Sequence, residues 1–432
     1  MVFLSLKNNQ GFKKYFKNTT WLLLEKILKI VSEVFVGVWV TRYLGPDDFG
    51  MLSYAKSFSA FFIVISSMGL NTIIVRELIN NEEKRDVLLG TAFVLKLTTS
   101  FFLLISFGIY FLLNPTQINL LIFIFLISVT FKTFNIIEFY FQSKVLSKYT
   151  AYSNMILLLV VSILKVILIL LKASVIYFAI LFIVESIILA VGFIYFYRKN
   201  NISIFNWIYK REIALNLLKD SWPLILSGFV ITMYMKVDQI MIGNILDNTN
   251  VGYYAAAVNL SEAWYFLPAI IVSSLFPAIL NAKKISRQLY LSRLQKLYDF
   301  LVWLGIVIAI ITSFISDYLI DLLYDKDYSS SSNILILHIW SGIFVFLGVS
   351  FSKFLISENF VKKALYRTLI GATVNIILNF ILIPIYGIIG AAIATIIAQI
   401  FANYLYDLFD PDLREHFIMK TKSFIPIHLI KK

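Results

Sequence analysis

RYLGPDDFGMLSYA, residues 42–55, is a turn between two apolar runs, and its reading sets the architecture of the chain. Gly45, Pro46 and the two aspartates are turn-forming residues. To its left lies WLLLEKILKIVSEVFVGVWV (21–40), and to its right a second apolar run ends near residue 72. About 20 apolar residues cross about 30 Å of hydrocarbon, so the turn joins two membrane spans. The same yardstick predicts twelve helices, near 19–42, 50–72, 89–113, 118–142, 149–171, 174–197, 221–246, 251–281, 297–323, 331–356, 362–384 and 387–409. Composition agrees: 59% of the 432 residues are hydrophobic and mean hydropathy is +0.83. One water-facing fold cannot hide that much apolar surface. The expected fold is all-α, a polytopic membrane protein.

The formal charge of +13 is explained by topology. With the N-terminus placed in the cytoplasm, inside segments hold 27 lysines and arginines, against Arg42, Lys172 and Lys326 outside. That asymmetry is the positive-inside pattern of an inner or plasma membrane protein with both termini cytoplasmic. One missed span would invert it, and no nucleic-acid partner is needed to account for it. Lys7, Lys13, Lys14 and Lys17 resemble the charged start of a signal peptide, but no small-residue cleavage site follows, so an uncleaved first span is expected.

Enzyme chemistry finds little support. There is no cysteine, and His338, His416 and His428 are scattered without metal-ligand spacing. No phosphate-binding glycine loop with Lys-Ser/Thr is present, so no ATPase engine is encoded. The expectation is a transporter with no cofactor and no metal, driven by an ion gradient, the membrane potential or the substrate gradient.

The opening turn has a second copy. NILDNTNVGYYAAA (244–257) shares its leucine, its polar cluster, its glycine (Gly50, Gly252) and the aromatic and alanine that follow, at an offset of 202 residues. Span one then lies over span seven. The domains expected are an N-terminal lobe (1–197), a basic, weakly amphipathic cytoplasmic linker (198–220), a C-terminal lobe (221–409) and a cytoplasmic tail (410–432). Parallel six-helix halves are a common transporter plan with the substrate path between them.

Charges inside the spans supply the candidate site. Eight lysines lie there: Lys26, Lys29, Lys56, Lys96, Lys132, Lys165, Lys236 and Lys353. The clearest acids are Glu25, Glu33, Glu138, Glu185, Asp238 and Glu262. A charge at mid-membrane costs roughly 2.5–3.5 kcal/mol on insertion scales, so such groups face the bundle interior or water. Lys56, Lys96, Lys165 and Lys353 lie near helix ends and have snorkelling as an equal alternative. Glu25, Lys29 and Glu33 form one stripe that can neutralise itself, and Lys26 is rotated off it. Lys132, Lys236 and Asp238 sit deepest. The lysine excess favours an anionic substrate over a drug cation. Pro268 and Pro277 interrupt span eight and are candidate hinges, with a static kink as the alternative. Pro223, after Ser221, reads as the start of span seven.

The quoted residues resemble a known family. TRYLGPDDFGMLSYA (41–55), VDQIMIGNILDNTNVGYYAAAVNLSEAWYFLP (237–268) and IPIYGIIGAAIATIIAQ (383–399) are similar to the patterns of Wzx-type O-antigen or capsule repeat-unit flippases. These belong to the multidrug/oligosaccharidyl-lipid/polysaccharide (MOP, MATE-like) exporter superfamily. The resemblance implies two six-helix lobes around a cationic cavity. It implies translocation of undecaprenyl-diphosphate-linked glycan from the cytoplasmic to the periplasmic leaflet by alternating access, coupled to H+ or Na+. Membrane lipids, a polysaccharide polymerase and a chain-length regulator are the implied partners. Gly45, Pro46 and Gly50 carry the resemblance as turn residues. A drug antiporter of the same superfamily is the near rival, and a membrane polysaccharide polymerase or ligase the distant one. The second resembles chains with one large outside loop, and none is predicted here.

Overall fold

The computed structural model describes residues 20–21, 24–358 and 360–425; the segment with Lys7, Lys13, Lys14 and Lys17 lies outside them. Ten long apolar helices follow one another: α1 Leu24–Asn80, α2 Glu82–Leu113, α3 Gln117–Ser143, α4 Ser147–Leu170, α5 Val175–Lys199, α6 Arg211–Ile245, α7 Asn248–Lys283, α8 Arg287–Tyr324, α9 Ser330–Ser357 and α10 Lys362–Phe409. A short helix, α11 Arg414–Ser423, comes last. No strand occurs among the described residues.

Two of the ten are too long to cross once. The 57 residues of α1 and the 48 of α10 would run roughly 85 and 70 Å at 1.5 Å per residue, more than twice the hydrocarbon thickness. Each breaks at a glycine with positive φ, Gly45 (φ 70, ψ 173) and Gly387 (φ 59, ψ −141). A side chain strains that backbone, so glycine sits where the chain turns back. Among the described residues, ten helices therefore carry twelve spans.

The spans run beyond the apolar segments that reveal them. α6 begins at Arg211, so Pro223 lies inside it and does not start it. REIALNLLKD (211–220) is rich in good helix formers, and the helix continues through polar residues that a hydropathy yardstick ignores. α8 likewise starts at Arg287, ten residues ahead of its apolar run. Only residues 200–210 of the predicted linker lie outside α5 and α6, and they include a 3₁₀ turn at Ile204–Asn206. Trp207 fixes this stretch to the first unit, its indole N–H donating to the Tyr197 hydroxyl at 3.3 Å.

The outer faces are apolar: Phe102 is 69%, Leu112 78% and Phe314 87% exposed. In water this would be an aggregation surface, whereas against acyl chains it is what a span requires.

Contacts divide the chain into two compact units: one runs to Leu44 and resumes over Tyr54–Thr232, and the other joins Gly45–Ser53 to the chain from Met233. Each has its own core. In the first, Leu70, Ile74, Leu89, Ile137, Phe141 and Tyr197 pack together. In the second, Val272, Leu294, Tyr298, Leu301, Leu347 and Phe351 do so.

The opening turn thus belongs to the second unit, where it meets its own copy. The Asp47 carboxylate accepts from the Thr249 hydroxyl at 3.2 Å, a pair 202 residues apart. A Cβ on Gly50 would overlap the Asn248 carbonyl, and one on Gly252 would overlap the Pro46 carbonyl. Each glycine rests on the residue four places before the other, which is the reciprocity of a two-fold-related pair.

Candidate functional site

The first unit gathers charge around a cavity. Its volume is about 160 Å³, and Ser66, Asn71, Lys96, Lys132, Asn135 and Glu138 are among its lining residues. Local backbone irregularities open it. α1 is interrupted at Met68 and Gly69, both in the left-handed region (φ 52 and 63). A non-glycine residue there is strained, and such positions concentrate at functional sites. α3 changes to a 3₁₀ turn over Lys132–Asn135 before resuming at Ile136. That tighter turn places Lys132, Thr133 and Asn135 on the cavity wall within four residues.

Lys96 is buried at 5% exposure, its ammonium 5.3 Å from the centre of the Phe139 ring. Glu138 is half-buried, accepts from Gln142 at 3.2 Å and lies within electrostatic reach of Lys96 and of Glu25. Lys132 is within reach of Glu185. Glu185 is itself 3.7 Å from Lys165. Six of the predicted charges thus belong to one neighbourhood, Lys165 being paired there across helices. The cavity suits a phosphate-sized group or a few waters, and not a whole glycan.

On the α1 stripe, Lys29 lies within electrostatic reach of Glu25. Glu25 is half-buried and accepts from Asn154 of α4 at 2.9 Å, so the two helices are joined by an amide–carboxylate bond. Lys29 also pairs with Glu33 at 3.9 Å, with both side chains exposed. Lys26 is exposed as well. Lys56 is exposed and lies 5.8 Å over the Phe182 ring, and Lys353 is exposed.

The second unit holds a closed polar cluster around Asp238 of α6. Its carboxylate accepts from Asn379 Nδ2 at 2.6 Å, Thr395 Oγ1 at 2.6 Å and the Tyr254 hydroxyl at 2.8 Å. Asn379 and Thr395 stand on opposite sides of the Gly387 break in α10, so the turn brings both onto one carboxylate. Asn375, one helical turn from Asn379, accepts from it at 3.2 Å. Asn379 Oδ1 and Asn375 Nδ2 have no partner among the described residues. One carboxylate among neutral oxygen donors suits a proton or a hard monovalent cation, since a divalent ion seeks more carboxylates. No group of three or more His, Cys, Asp and Glu side chains able to hold a metal occurs among the described residues.

Lys236 is half-buried, two residues from Asp238 on the same helix. Glu262 is half-buried and ends the first segment of α7, just before a 3₁₀ turn at Ala263–Tyr265. Pro268 is buried beyond that turn, and Pro277 is exposed within the following helix. Scanning for charges missed Tyr254, Asn375, Asn379 and Thr395 around Asp238, and Asn71 and Asn135 around the lysines. The available signal was the amide pair in NIILN (375–379), because amides inside apolar spans seek partners.

The family model described as polysaccharide biosynthesis protein matches residues 15–283. The chain belongs to this family. The MatE model matches residues 223–381. Among curated proteins, the family member resembles the capsular polysaccharide biosynthesis protein CapF of Staphylococcus aureus, 21% identical over 399 residues, covering 91% of this chain and 98% of that one. Among solved structures, the lipid II flippase MurJ in an inward closed conformation superposes with a TM-score of 0.68 at 19% identity, covering 96% of this chain and 92% of that chain. An inward-facing multidrug resistance MATE family transporter of the MOP superfamily gives 0.68 at 14% identity, covering 92% and 96%. The family member is therefore a multi-pass membrane protein with the fold of MOP superfamily transporters.

Proposed function

We propose that this protein flips undecaprenyl-diphosphate-linked oligosaccharide repeat units, of O-antigen or capsule type, from the cytoplasmic to the outer leaflet of the inner membrane by alternating access. The observation that carries this reading is the cavity that brings Lys96 and Lys132 together beside Glu138. Two ammonium groups in a water-poor site suit a diphosphate, and Glu138 balances their charge when the anion is away. Lys26 and Lys29 are exposed within a span, where acyl chains are a costly neighbour, and we place them along an aqueous path for the same headgroup. Asp238, with its neutral hydroxyl and amide partners, is the proposed coupling site for H+ or Na+. Both ends of the chain are proposed to be cytoplasmic.

Deleting the gene is expected to leave lipid-linked repeat units on the cytoplasmic face and abolish surface polymer. Surface glycan of single-unit length would instead reveal a polymerase. The MatE match supports a second reading, a cation-coupled drug antiporter. Reconstituted protein separates the two: the flippase moves a short-chain diphosphate-linked glycan and leaves lipophilic cations untransported, whereas the antiporter does the reverse.

A further inference from the structure

In the second unit three charged groups from separate segments are buried together, and the transport reading uses none of them. α11 is polar in composition yet buries His416, Met419, Lys420 and Ser423, a face with helical spacing. Lys420 has no exposure. Its ammonium donates to Asp407 at 2.5 Å and to the Asn403 carbonyl at 2.9 Å, and lies 3.5 Å from the centre of the Phe351 ring. Asn403 belongs to a π-turn, Phe401–Leu405, whose altered bonding leaves carbonyls for outside donors.

A second cation lies over the same ring and near the same carboxylate. Arg367 of α10 is 6% exposed and lies 5.5 Å over the same Phe351 ring. Its Nη2 donates to the Ser352 hydroxyl at 2.8 Å, but Nε and Nη1 have no partner among the described residues. On the carboxylate, Oδ2 is held by Lys420 while Oδ1 has no partner. Arg367 and Asp407 are within electrostatic reach of each other. Two buried cations thus share one ring and lie within electrostatic reach of one carboxylate, which has an unpartnered oxygen, while the guanidinium has unpartnered N–H groups.

We propose that Lys420 and Arg367 are alternative partners of Asp407, making α11 a releasable clasp on the second unit. Removing one member of a buried pair normally leaves a costly lone charge. Here Arg367 can take the carboxylate with its planar fork when Lys420 leaves, so undocking leaves Asp407 compensated. Burial holds the docked Lys420 down to about pKa 8 against the pull of Asp407, so docking keeps a cation in a poor solvent. Two comparably compensated arrangements make a bistable element. When docked, α11 joins three helices. Arg287 of α8 pairs with Glu415 at 2.8 Å, and Gln295 donates to the Met419 carbonyl at 2.9 Å. The His416 ring centre lies 3.8 Å from that of Phe354 of α9, and Lys420 holds Asp407 of α10. Release frees one end of all three helices. The clasp stands whatever the protein carries, and its test needs no transport.

Hydrogen exchange across 414–423, measured on the full chain in nanodiscs, tests this directly. Lys420→Met should raise exchange there by roughly tenfold or more while the rest stays protected. Arg367→Met should do the opposite and slow exchange, because the competitor is gone. Faster exchange in Arg367→Met would mean Arg367 supports docking, and would overturn the proposal. In an Asp407→Asn background, which has no carboxylate to contest, Arg367→Met should no longer slow exchange; slowing that persists there would also overturn it.

Discussion

The two units treat buried charge in opposite ways. In the first, Lys96, Lys132 and Glu138 border a cavity of about 160 Å³, and their backbone is interrupted by a left-handed Met68 and a 3₁₀ turn. In the second, Asp238 is enclosed by three donors at 2.6–2.8 Å, two of them brought together by the Gly387 turn. A cavity with both signs on its wall can admit a multi-atom anion. A carboxylate so closely ringed can exchange only something as small as a proton or a bare cation. Under the proposed function, one unit reads the cargo and the other reads the driving ion.

Experiments can break that division, beginning with the largest effect. Replacing Lys96 and Lys132 together with Ala should cut export roughly a hundredfold at normal protein level, since each charged contact is worth about 1.5–3 kcal/mol. Normal export from the double variant would remove the cavity from the substrate path. Asp238→Asn should abolish ion flux that responds to substrate in proteoliposomes, with export down roughly tenfold, while folding persists because the amide oxygen still accepts from Tyr254. An unchanged ion response would leave the second unit with a purely structural cluster.

A smaller effect is expected from Glu138→Gln, which removes the internal counter-ion. Apparent affinity for the anionic headgroup should tighten a few-fold as turnover slows, a change of about 1 kcal/mol read from concentration dependence. Lys26→Ala should be smaller still, roughly two- to fivefold in export, because an exposed lysine is already hydrated.

The second unit also carries a pH dependence at α11. Burial, with Lys420 and Arg287 nearby, pushes the His416 imidazole down to about 3. An undocked histidine titrates near 6.5, so the histidine's contribution to docking of α11 is fully present above that pH and is lost as pH falls toward 3. Near pH 5 the loss approaches about 2 kcal/mol. Exchange across 414–423, corrected for intrinsic rate, should rise on acidification in the natural chain and less so in His416→Phe.

How much of this the sequence disclosed depends on whether a feature is periodic or made by a break. Spans were legible because apolar length measures the membrane directly, and the double crossings of α1 and α10 were legible from Gly45 and from the glycine after IPIY. Helix ends were not, because Arg211–Asp220 and Arg287–Lys296 continue as helix through polar residues. Lys132 was singled out by depth, yet only the 3₁₀ turn shows how it comes to share a wall with Asn135. Asp238 was singled out too, but its partners come from α7 and both arms of α10, and no single-helix periodicity joins them. Lys420, in a polar segment, gave no sign that it is wholly buried.

The crossing of Gly50 and Gly252 has a consequence for synthesis. Residues 45–53 complete a unit whose other members begin at Met233, so an early-made turn waits for a partner 202 residues downstream. At 5–20 residues per second the ribosome takes about 10–40 s to supply that partner. Through that interval the turn must stay unpaired in or beside the bilayer. The second half of the chain made alone would lack nine residues of its own fold, and a fragment supplying 45–53 in trans should complete it.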